Sequence, residues 1–446
     1  MTKASRLLTR SAYVAALGGF LFGFDTAVIS GAETSIQEFW DLSGFWHGFT
    51  VAVALIGTVI GALTAGKPAD RFGRRNALLA VGVLFFVSAL GSALSNMWIP
   101  FMIYRFIGGL GVGASSVIGP MYIAEIAPPE RRGKLVAMFQ FNVVTGILIA
   151  YLSNYIISLL AEQDAWRWMF GVEAIPAVLF FGFLFGVPAT PRWLILKGKS
   201  DKAREILKLF NISNLEEQVK IIEDSIYADR HIHSPKLFTK QLRIPVLLAI
   251  LVAFFNQFSG INAIMYYAPR IFEVAGVARE SALLQSVAIG LTNMIFTLIA
   301  INIIDRIGRK TLLLIGAAGL TVTLLMVTLD FLVAAEPGTV VLIGLIGFIA
   351  FFALSQGTVI WVYISEIFPN RVRAKGQALG SFTHWTGAAI VSWIFPIFAQ
   401  IGNTTSTGYA FLLFTVIMVI QFIVVYKFFP ETKGKSLEQI QDDFGL

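Results

Sequence analysis

The chain has 446 residues, of which 56% are hydrophobic and only 14% are charged, and its formal net charge is +7. A soluble domain averages about 25% charged residues, so most of the surface of this protein must face lipid. The sequence has no cysteine, which excludes a disulfide framework and a thiolate metal site.

Apolar runs long enough to cross about 30 Å of hydrocarbon as helices follow one another along the chain. They cover residues 11–31, 46–66, 76–96, 98–119, 135–160, 167–187, 244–268, 282–304, 311–333, 340–365, 375–399 and 408–429. The residues before the first run form a short basic tail without a cleavage site for a signal peptidase. The sequence therefore predicts an all-α membrane protein with twelve transmembrane helices.

The basic residues lie almost entirely on one side of these predicted spans. An even number of spans places both termini on the same side, and nearly all of the 34 Lys and Arg residues lie in the loops and tails of that side. The positive-inside rule then predicts that both termini are cytoplasmic, in a plasma (inner) membrane. The net positive charge reflects this topology and not a nucleic-acid partner. The short termini favour a bacterial source.

Residues 188–243 are the longest polar stretch of the chain. Apolar residues recur in it at steps of three and four, for example Ala203, Leu207 and Phe210. This spacing predicts short amphipathic helices on the cytoplasmic side. The alternative is a solvated linker.

Three landmarks occur twice, in the same order and at nearly the same offset. The charged sequence at 70–75 returns at 305–310, the one at 124–128 returns at 365–369, and the one at 188–192 is echoed at 430–434. A duplicated half explains this pattern. It predicts two pseudo-symmetric six-helix bundles, residues 1–187 and 244–446, joined by the 188–243 linker.

Together these motifs resemble the sugar porter family of the major facilitator superfamily, along nearly the whole chain. The resemblance rests on GGFLFGFD at 18–25, ISG at 29–31, the two repeated cassettes, Arg105 with the glycines of 108–113, PMYIAE at 120–125, QFSGIN at 257–262, SEIFP at 365–369 and PETKG at 430–434. It implies the major facilitator fold, a central site open alternately to each side, and a closer similarity to bacterial xylose/hexose–proton symporters than to facilitative uniporters. No cofactor and no metal are expected, and we expect a monomer to be functional.

Asp25 and Arg105 are ionisable residues inside predicted spans. Such residues are costly in a membrane and usually face a cavity with a partner. Pairing with Arg105 favours the charged form of Asp25, and separation favours the neutral acid. The pair is therefore predicted to couple proton uptake to conformation, as the resemblance also implies, and the alternative is a permanent structural ion pair. For Glu173, in the sixth span, a hydrogen-bonded structural role is favoured over a second protonatable site.

A neutral sugar needs amides, which donate and accept hydrogen bonds, and aromatic walls for its C–H faces. The predicted substrate-binding residues are Gln140, Asn256, Gln257, Asn262, Tyr266, Asn293, Gln356, Trp361, His384 and Trp385. The resemblance implies hydroxyl ligands at Gln140, Gln257, Asn262 and Asn293, and pocket aromatics at Tyr266, Trp361 and Trp385. Gly260 is predicted to break the seventh span so that Gln257 and Asn262 both point inward. The alternative for each amide is interhelical hydrogen bonding, and for His384 a role in the core.

Several positions depart from the family pattern. Asn256, Gln356 and His384 stand where other residues are usual, and the 188–192 segment lacks the acidic residue common there. These departures leave the identity of the sugar open.

The repeated cassettes are predicted to form cytoplasmic charge networks. The resemblance implies that Arg74 and Arg309 reach Glu125 and Glu366 and so close the cytoplasmic side. The predicted networks consist of Asp70, Arg74, Glu125 and Arg132 in the first half and of Asp305, Arg309, Glu366 and Arg373 in the second. The alternative is that these residues are solvated and only determine topology.

The function predicted from these features is import of a monosaccharide, a pentose or a hexose, together with a proton. The partners are then the sugar, protons and the lipid bilayer. The alternatives are a facilitative sugar uniporter and a non-transporting sugar sensor, which the short C-terminal tail disfavours. An enzyme is not expected, since no residue cluster suits nucleophilic or metal chemistry.

Overall fold

A computed structural model describes residues 3–161, 163–210, 215–231, 236–334, 337–369, 371–399, 403–435, 439–440 and 444. Within these residues the regular structure is entirely helical, with no β-strand. The predicted all-α class is therefore confirmed.

The helices of the first half and the linker follow the predicted apolar runs. They are α1 (Lys3–Phe39), α2 (Gly44–Thr64), α3 (Gly66–Phe72), α4 (Arg74–Leu94), α5 (Trp98–Ile126), α6 (Pro129–Leu160), α7 (Ala165–Gly171), α8 (Ala174–Leu184), α9 (Pro191–Leu196), α10 (Ser200–Leu209) and α11 (Leu215–His231).

The second half repeats the alternation of long helices and short turns. Its helices are α12 (Arg243–Phe258), α13 (Ile261–Val274), α14 (Arg279–Ile307), α15 (Arg309–Val333), α16 (Thr339–Leu354), α17 (Gln356–Ile367), α18 (Arg373–Phe398) and α19 (Thr404–Phe428).

Every predicted span is covered by one helix or by two consecutive ones. Eleven stretches of the described residues are long and apolar enough to cross a membrane. The helix over the remaining predicted span, α18, has 26 residues and is long enough, but glycines, hydroxyl residues and His384 make it less apolar. The protein is therefore a multi-pass membrane protein.

Three predicted spans are divided into two helices. The sixth breaks between α7 and α8, the seventh between α12 and α13, and the tenth at Ser355 between α16 and α17. Only the break in the seventh span, at Gly260, is predicted from the sequence. Such breaks free backbone and polar side chains at mid-membrane, where transporters place their sites.

The contacts divide the chain into two compact units. Unit 1 comprises Met1–Thr26, Gly57–Ile147 and Phe170–Ser234, and unit 2 comprises Ala27–Ile56, Leu148–Met169 and Pro235–Leu446. Unit 2 therefore contains the end of α1, the start of α2 and the end of α6 beside the helices of the second half. The halves 1–187 and 244–446, defined by the sequence repeat, stay a prediction.

The linker forms the short helices that its periodicity predicts, α9, α10 and α11. Their apolar face buries Ala203, Leu207 and Val219 within unit 1. The Arg204 guanidinium, with its Nε 3.0 Å from Glu216 Oε1, joins α10 to α11 and lowers the pKa of the Glu216 carboxyl below its usual value.

Candidate functional site

An ion pair joins α1 to α5 within unit 1. Arg105 Nη1 donates to Asp25 Oδ1 over 2.6 Å, and Arg105 Nη2 donates to the Asp25 backbone oxygen over 3.4 Å. Both residues are 2% exposed, and the guanidinium lies 5.1 Å from the centroid of the Phe170 ring. The structure thus brings together, in one buried ion pair, the two residues predicted to couple protons.

Glycine in α5 makes room for this pair. A methyl group at Gly108 would lie 3.2 Å from Asp25 Oδ1 and would also press on the hydroxyl of Ser88. The glycine-rich run of α5 therefore permits the close approach of α1 and α4.

Glu173 lies at the break between α7 and α8, in the same unit. It is 1% exposed, and neither of its carboxyl oxygens has a hydrogen-bond partner among the described residues. Asp25 and Arg105 are close enough for their charges to act on it. The expected hydrogen-bonded structural role is therefore wrong. An unpaired carboxylate is costly in an apolar interior, which makes Glu173 a candidate protonatable group beside the ion pair.

Four of the predicted sugar ligands meet in unit 2. Gln257 Nε2 donates to Asn256 Oδ1 over 3.0 Å, and Asn262 Nδ2 donates to Gln257 Oε1 over 2.5 Å. Gln257 Nε2 also lies 3.1 Å from each ring nitrogen of His384. These side chains offer both donors and acceptors at one place, as recognition of sugar hydroxyls requires.

The break at Gly260 brings Gln257 and Asn262 together. Helix α12 ends at Phe258 and α13 begins at Ile261, and Gly260 between them has a φ of +92°, in the left-handed region. Only glycine adopts this conformation readily. The predicted interruption of the seventh span is confirmed.

Aromatic rings flank the imidazole of His384. The ring centroids of Trp361 and Trp385 lie 5.0 and 4.9 Å from it. Trp361 is 38% exposed, whereas Trp385 and Tyr266 are buried. The exposed indole of Trp361 and the neighbouring amides combine an apolar wall with polar groups, which suits a sugar ring.

Gln356 points away from these amides. Its Nε2 donates to Gln421 Oε1 over 2.8 Å, and its backbone oxygen accepts a hydrogen bond from Asn256 Nδ2 over 3.1 Å. The Gln356 side chain thus joins α17 to α19, and its backbone orients Asn256. A direct role of Gln356 as sugar ligand stays a prediction, and Gln421 is a supporting amide that the sequence analysis did not identify.

Two further predicted ligands stand apart. Gln140 is exposed on α6 in unit 1, and Asn293 is half-buried on α14 in unit 2. Within the described part of unit 2, Asn293 has no hydrogen bond to another predicted ligand. Both assignments stay predictions.

Each cassette forms ion pairs between three of its four predicted network residues, within its own unit. In unit 1, Arg74 Nε donates to Glu125 Oε1 over 2.9 Å, and Arg74 Nη1 lies 2.9 Å from Asp70 Oδ1. In unit 2, Arg309 Nη2 lies 2.9 Å from both Glu366 Oε1 and Asp305 Oδ1.

The other two arginines of the predicted networks lie outside these contacts. Arg132 is exposed at the start of α6, and Arg373 begins α18. Neither forms an ion pair with Glu125 or Glu366 in the part of the chain that the structure describes. Their place in the networks stays a prediction.

The two networks differ at the position that departs from the family pattern. In unit 2, Glu431 accepts hydrogen bonds from the backbone N–H groups of Arg309 and Lys310 over 2.9 and 3.1 Å, and so caps the N-terminus of α15. In unit 1 the corresponding residue is Ala189, whose side chain has no hydrogen-bond acceptor. There Trp193 donates from Nε1 to the Asp70 backbone oxygen over 3.1 Å instead.

Replacing Glu431 by Ala is expected to lower the free energy of unfolding by about 1–2 kcal/mol, because the cap and the favourable helix-dipole interaction are both lost. The measurement is the thermal midpoint of the protein in detergent. Glu431→Gln keeps an acceptor oxygen and should lose less, and Ala189→Ser is the matched control, expected to melt with the wild type. Equal midpoints for Glu431→Ala and wild type would contradict the capping role.

A buried charged cluster in unit 2 was not predicted. Arg270 Nε and Nη2 lie 3.0 and 2.9 Å from Glu33 Oε1 and Oε2, and His47 Nε2 lies 2.9 Å from Glu33 Oε2. Their exposed fractions are 2%, 0% and 0%. Each residue lies within two residues of the edge of a predicted span, where ionisable residues are common, so the sequence alone gave no reason to pair them.

Comparisons with known proteins agree with this arrangement. The family model described as "Sugar (and other) transporter" matches residues 11–444. The D-xylose-proton symporter of Escherichia coli (strain K12) is 38% identical, over 96% of this chain and 94% of that protein. The arabinose-proton symporter of Bacillus subtilis (strain 168) is 36% identical, over 96% and 93%.

Solved structures match as well. The xylose transporter XylE from E. coli, in a partially occluded inward open conformation, has a TM-score of 0.85 and 37% identity, covering 97% of this chain and 100% of that one. The long apolar helices and the buried polar site thus define a membrane transporter and not an enzyme. The chain belongs to the sugar transporter family, whose model it matches over nearly its whole length.

Proposed function

We propose that the protein imports a monosaccharide together with a proton, by alternating access. The observation that carries this proposal is the fully buried Asp25–Arg105 pair in a chain of the sugar transporter family. Relatives named as D-xylose-proton and arabinose-proton symporters support both the substrate class and the coupling. Another relative is named a glucose transport protein, so the substrate is proposed as a pentose or a hexose.

Proton coupling follows from making and breaking the ion pair. While Asp25 contacts Arg105, the carboxylate is stabilised in its charged form. When a conformational change separates the two residues, the isolated carboxylate binds a proton, and the reverse change expels it. Arg105 stays charged throughout, because a guanidinium is not deprotonated in proteins. Glu173, beside the pair, is proposed as a second protonatable group.

The sugar is proposed to bind at the amides of the broken seventh span. Asn256 and Asn262 each bond to Gln257, and sugar hydroxyl groups can replace these bonds so that no polar group is left unpaired. His384 lies beside them and the exposed ring of Trp361 supplies the apolar wall. Further ligands and walls are proposed at Gln140, Tyr266, Asn293, Gln356 and Trp385.

The remaining predictions complete the proposal. The halves 1–187 and 244–446 are proposed as the two bundles of the transport cycle, with the linker and both termini in the cytoplasm. The cassette networks are proposed to hold the cytoplasmic side closed in one of the two states. The protein is proposed to act as a monomer in the plasma (inner) membrane of a bacterium.

The test is uptake of a panel of labelled sugars into proteoliposomes, with and without an inward proton gradient. We expect at least one pentose or hexose to accumulate above its external concentration only when the gradient is present. Uptake that equilibrates without regard to the gradient would support a facilitative uniporter and contradict coupling. Binding of a sugar without any uptake would identify a sensor.

A further inference from the structure

The Glu33–His47–Arg270 cluster ties together segments that are far apart in sequence. Glu33 lies near the end of α1, His47 near the start of α2, and Arg270 in α13. Arg270 also donates from Nη2 to Gln37 Oε1 over 2.5 Å and from Nη1 to the Ala399 backbone oxygen over 3.5 Å, which adds the end of α18. The Arg270 guanidinium thus joins α1 to the residue that follows α18 within unit 2.

Within unit 2, the cluster lies at the helix ends remote from the cassette at 305–310. Helix α2 runs from Gly44 towards the cassette at 70–75, and α1 ends next to that start. In the same way α14 runs from Arg279 towards the cassette at 305–310, and α13 ends next to it. We call this end the distal side.

The Glu33 carboxylate and the Arg270 guanidinium are opposite charges in direct contact. His47 Nε2 lies beside the same carboxylate, and the Thr34 hydroxyl donates to Glu33 Oε1 over 3.0 Å. The ring of Tyr267 packs edge-on against His47 at 5.9 Å between centroids. The other charged groups near it are Glu38 on α1, Glu273 on α13 and Arg279 on α14.

A buried ion pair of this kind has two favourable states, and arrangements intermediate between them are unfavourable. It is stable when every group is paired, and it is stable when the groups are fully hydrated, but removal of one partner leaves an uncompensated buried charge. Neighbouring contacts on the distal side include single neutral hydrogen bonds, such as Tyr151 Oη to the Met265 oxygen and Trp393 Nε1 to the Phe45 oxygen. Breaking one of these hydrogen bonds costs less free energy than breaking a desolvated ion pair does.

We propose that Glu33, His47 and Arg270 form a distal latch that holds α1, α2 and α13 together while the distal side is closed. Alternating access requires these helix ends to separate when the central site opens to that side. The latch rests on the transport function proposed above, but it is a statement about helix separation, which is measurable without sugar or protons. The latch gives a conformational role to three residues that belong neither to the proposed coupling pair nor to the proposed sugar site.

The absence of cysteine from the chain permits a direct test. Ser30→Cys places a thiol three residues before Glu33 on α1, at a position only 2% exposed. The rate of its reaction with a membrane-impermeant maleimide, applied to membrane vesicles, reports opening of the distal side. The exposed Ser43→Cys, between α1 and α2, identifies the vesicle orientation that presents this side.

We expect Arg270→Met and Glu33→Gln each to raise the labelling rate of Ser30→Cys about tenfold, since weakening the closed state shifts the population towards the open one. Arg279→Ala is the matched control. It removes a hydrogen bond to Ser35 Oγ in the same region, over 2.7 Å, but no buried ion pair, and should change the rate less than about twofold.

A second reporter separates latch opening from general loosening. Ser92→Cys, fully buried on α4 in unit 1, should label at the same slow rate in every variant. Equal labelling of Ser30→Cys in wild type and in both latch variants would overturn the proposal, and so would a parallel rise at Ser92. Glu33→Gln keeps the size of the side chain, so it serves as the test if Arg270→Met does not fold. Faster labelling in a protein that fails to transport would uphold the latch and contradict only the transport function.

Discussion

Replacing Asp25 by Asn is expected to abolish proton-driven accumulation of sugar while leaving sugar exchange intact. Asparagine keeps the Oδ1 atom that accepts from Arg105 Nη1, so the contact between α1 and α5 survives. It cannot be ionised, however, so it resembles the protonated carrier at all times and releases no proton on closing. In proteoliposomes the ratio of internal to external sugar should fall to about one, the value set by equilibration alone. Counterflow, in which internal sugar exchanges for labelled external sugar, should continue.

The matched control is a carboxylate outside the ion pair. Asp330, in α15, accepts a hydrogen bond from the Gly338 N–H over 3.1 Å and has no part in the proposed coupling. Asp330→Asn should accumulate sugar as the wild type does. Full accumulation by Asp25→Asn would show that the pair is only structural, and Glu173→Gln would then be the variant that tests the remaining buried carboxyl group.

The fold was predictable because the bilayer dictates the length of apolar runs. A helix must bury about 20 residues in hydrocarbon, and each of the predicted runs is helical in the structure. The breaks were less predictable. The one at Gly260 has a local cause, whereas Ser355 is itself neither glycine nor proline, and its Oγ donates to the Phe351 oxygen over 2.6 Å. The residue type at Ser355 therefore did not predict that break.

The ion pair between Asp25 and Arg105 was predictable for a similar reason. Asp25 and Arg105 are two opposite charges well inside predicted spans, and each needs a partner. Glu33 and Arg270 have the same need, but they lie 237 residues apart and at the edges of predicted spans, where water is the default partner. Only the fold shows that they are sealed from it.

The sequence also does not predict which way the side chain of a buried glutamine points. Gln356 and Gln257 are both glutamines inside spans, yet one bonds to Gln421 on α19 and the other to Asn256 and His384. The difference arises from which helices are neighbours. Sequence patterns therefore predicted candidate sugar ligands but not Gln421, the amide that supports one of them.

Replacing Gly260 by Ala is expected to weaken sugar binding at least about tenfold, for two separate reasons. Its φ of +92° costs an alanine about 1–2 kcal/mol. In addition, the new methyl group would lie 2.6 Å from Cδ2 of Phe414, so the ring or the helix junction must move. Because Gln257 and Asn262 flank this junction, a shift there separates the two amides. The measurement is the dissociation constant of the transported sugar, taken together with the thermal midpoint.

Gly276 provides the matched control for strain alone. It lies two residues beyond the end of α13 with a φ of +86°, and a methyl group there would meet no atom within 4 Å. Gly276→Ala should therefore lose stability but bind sugar as the wild type does. Adding Phe414→Leu to Gly260→Ala should restore part of the affinity, because it removes the steric conflict and leaves the strain. Weakened binding of similar size in Gly276→Ala would mean that affinity follows overall stability and not the geometry of the broken seventh span.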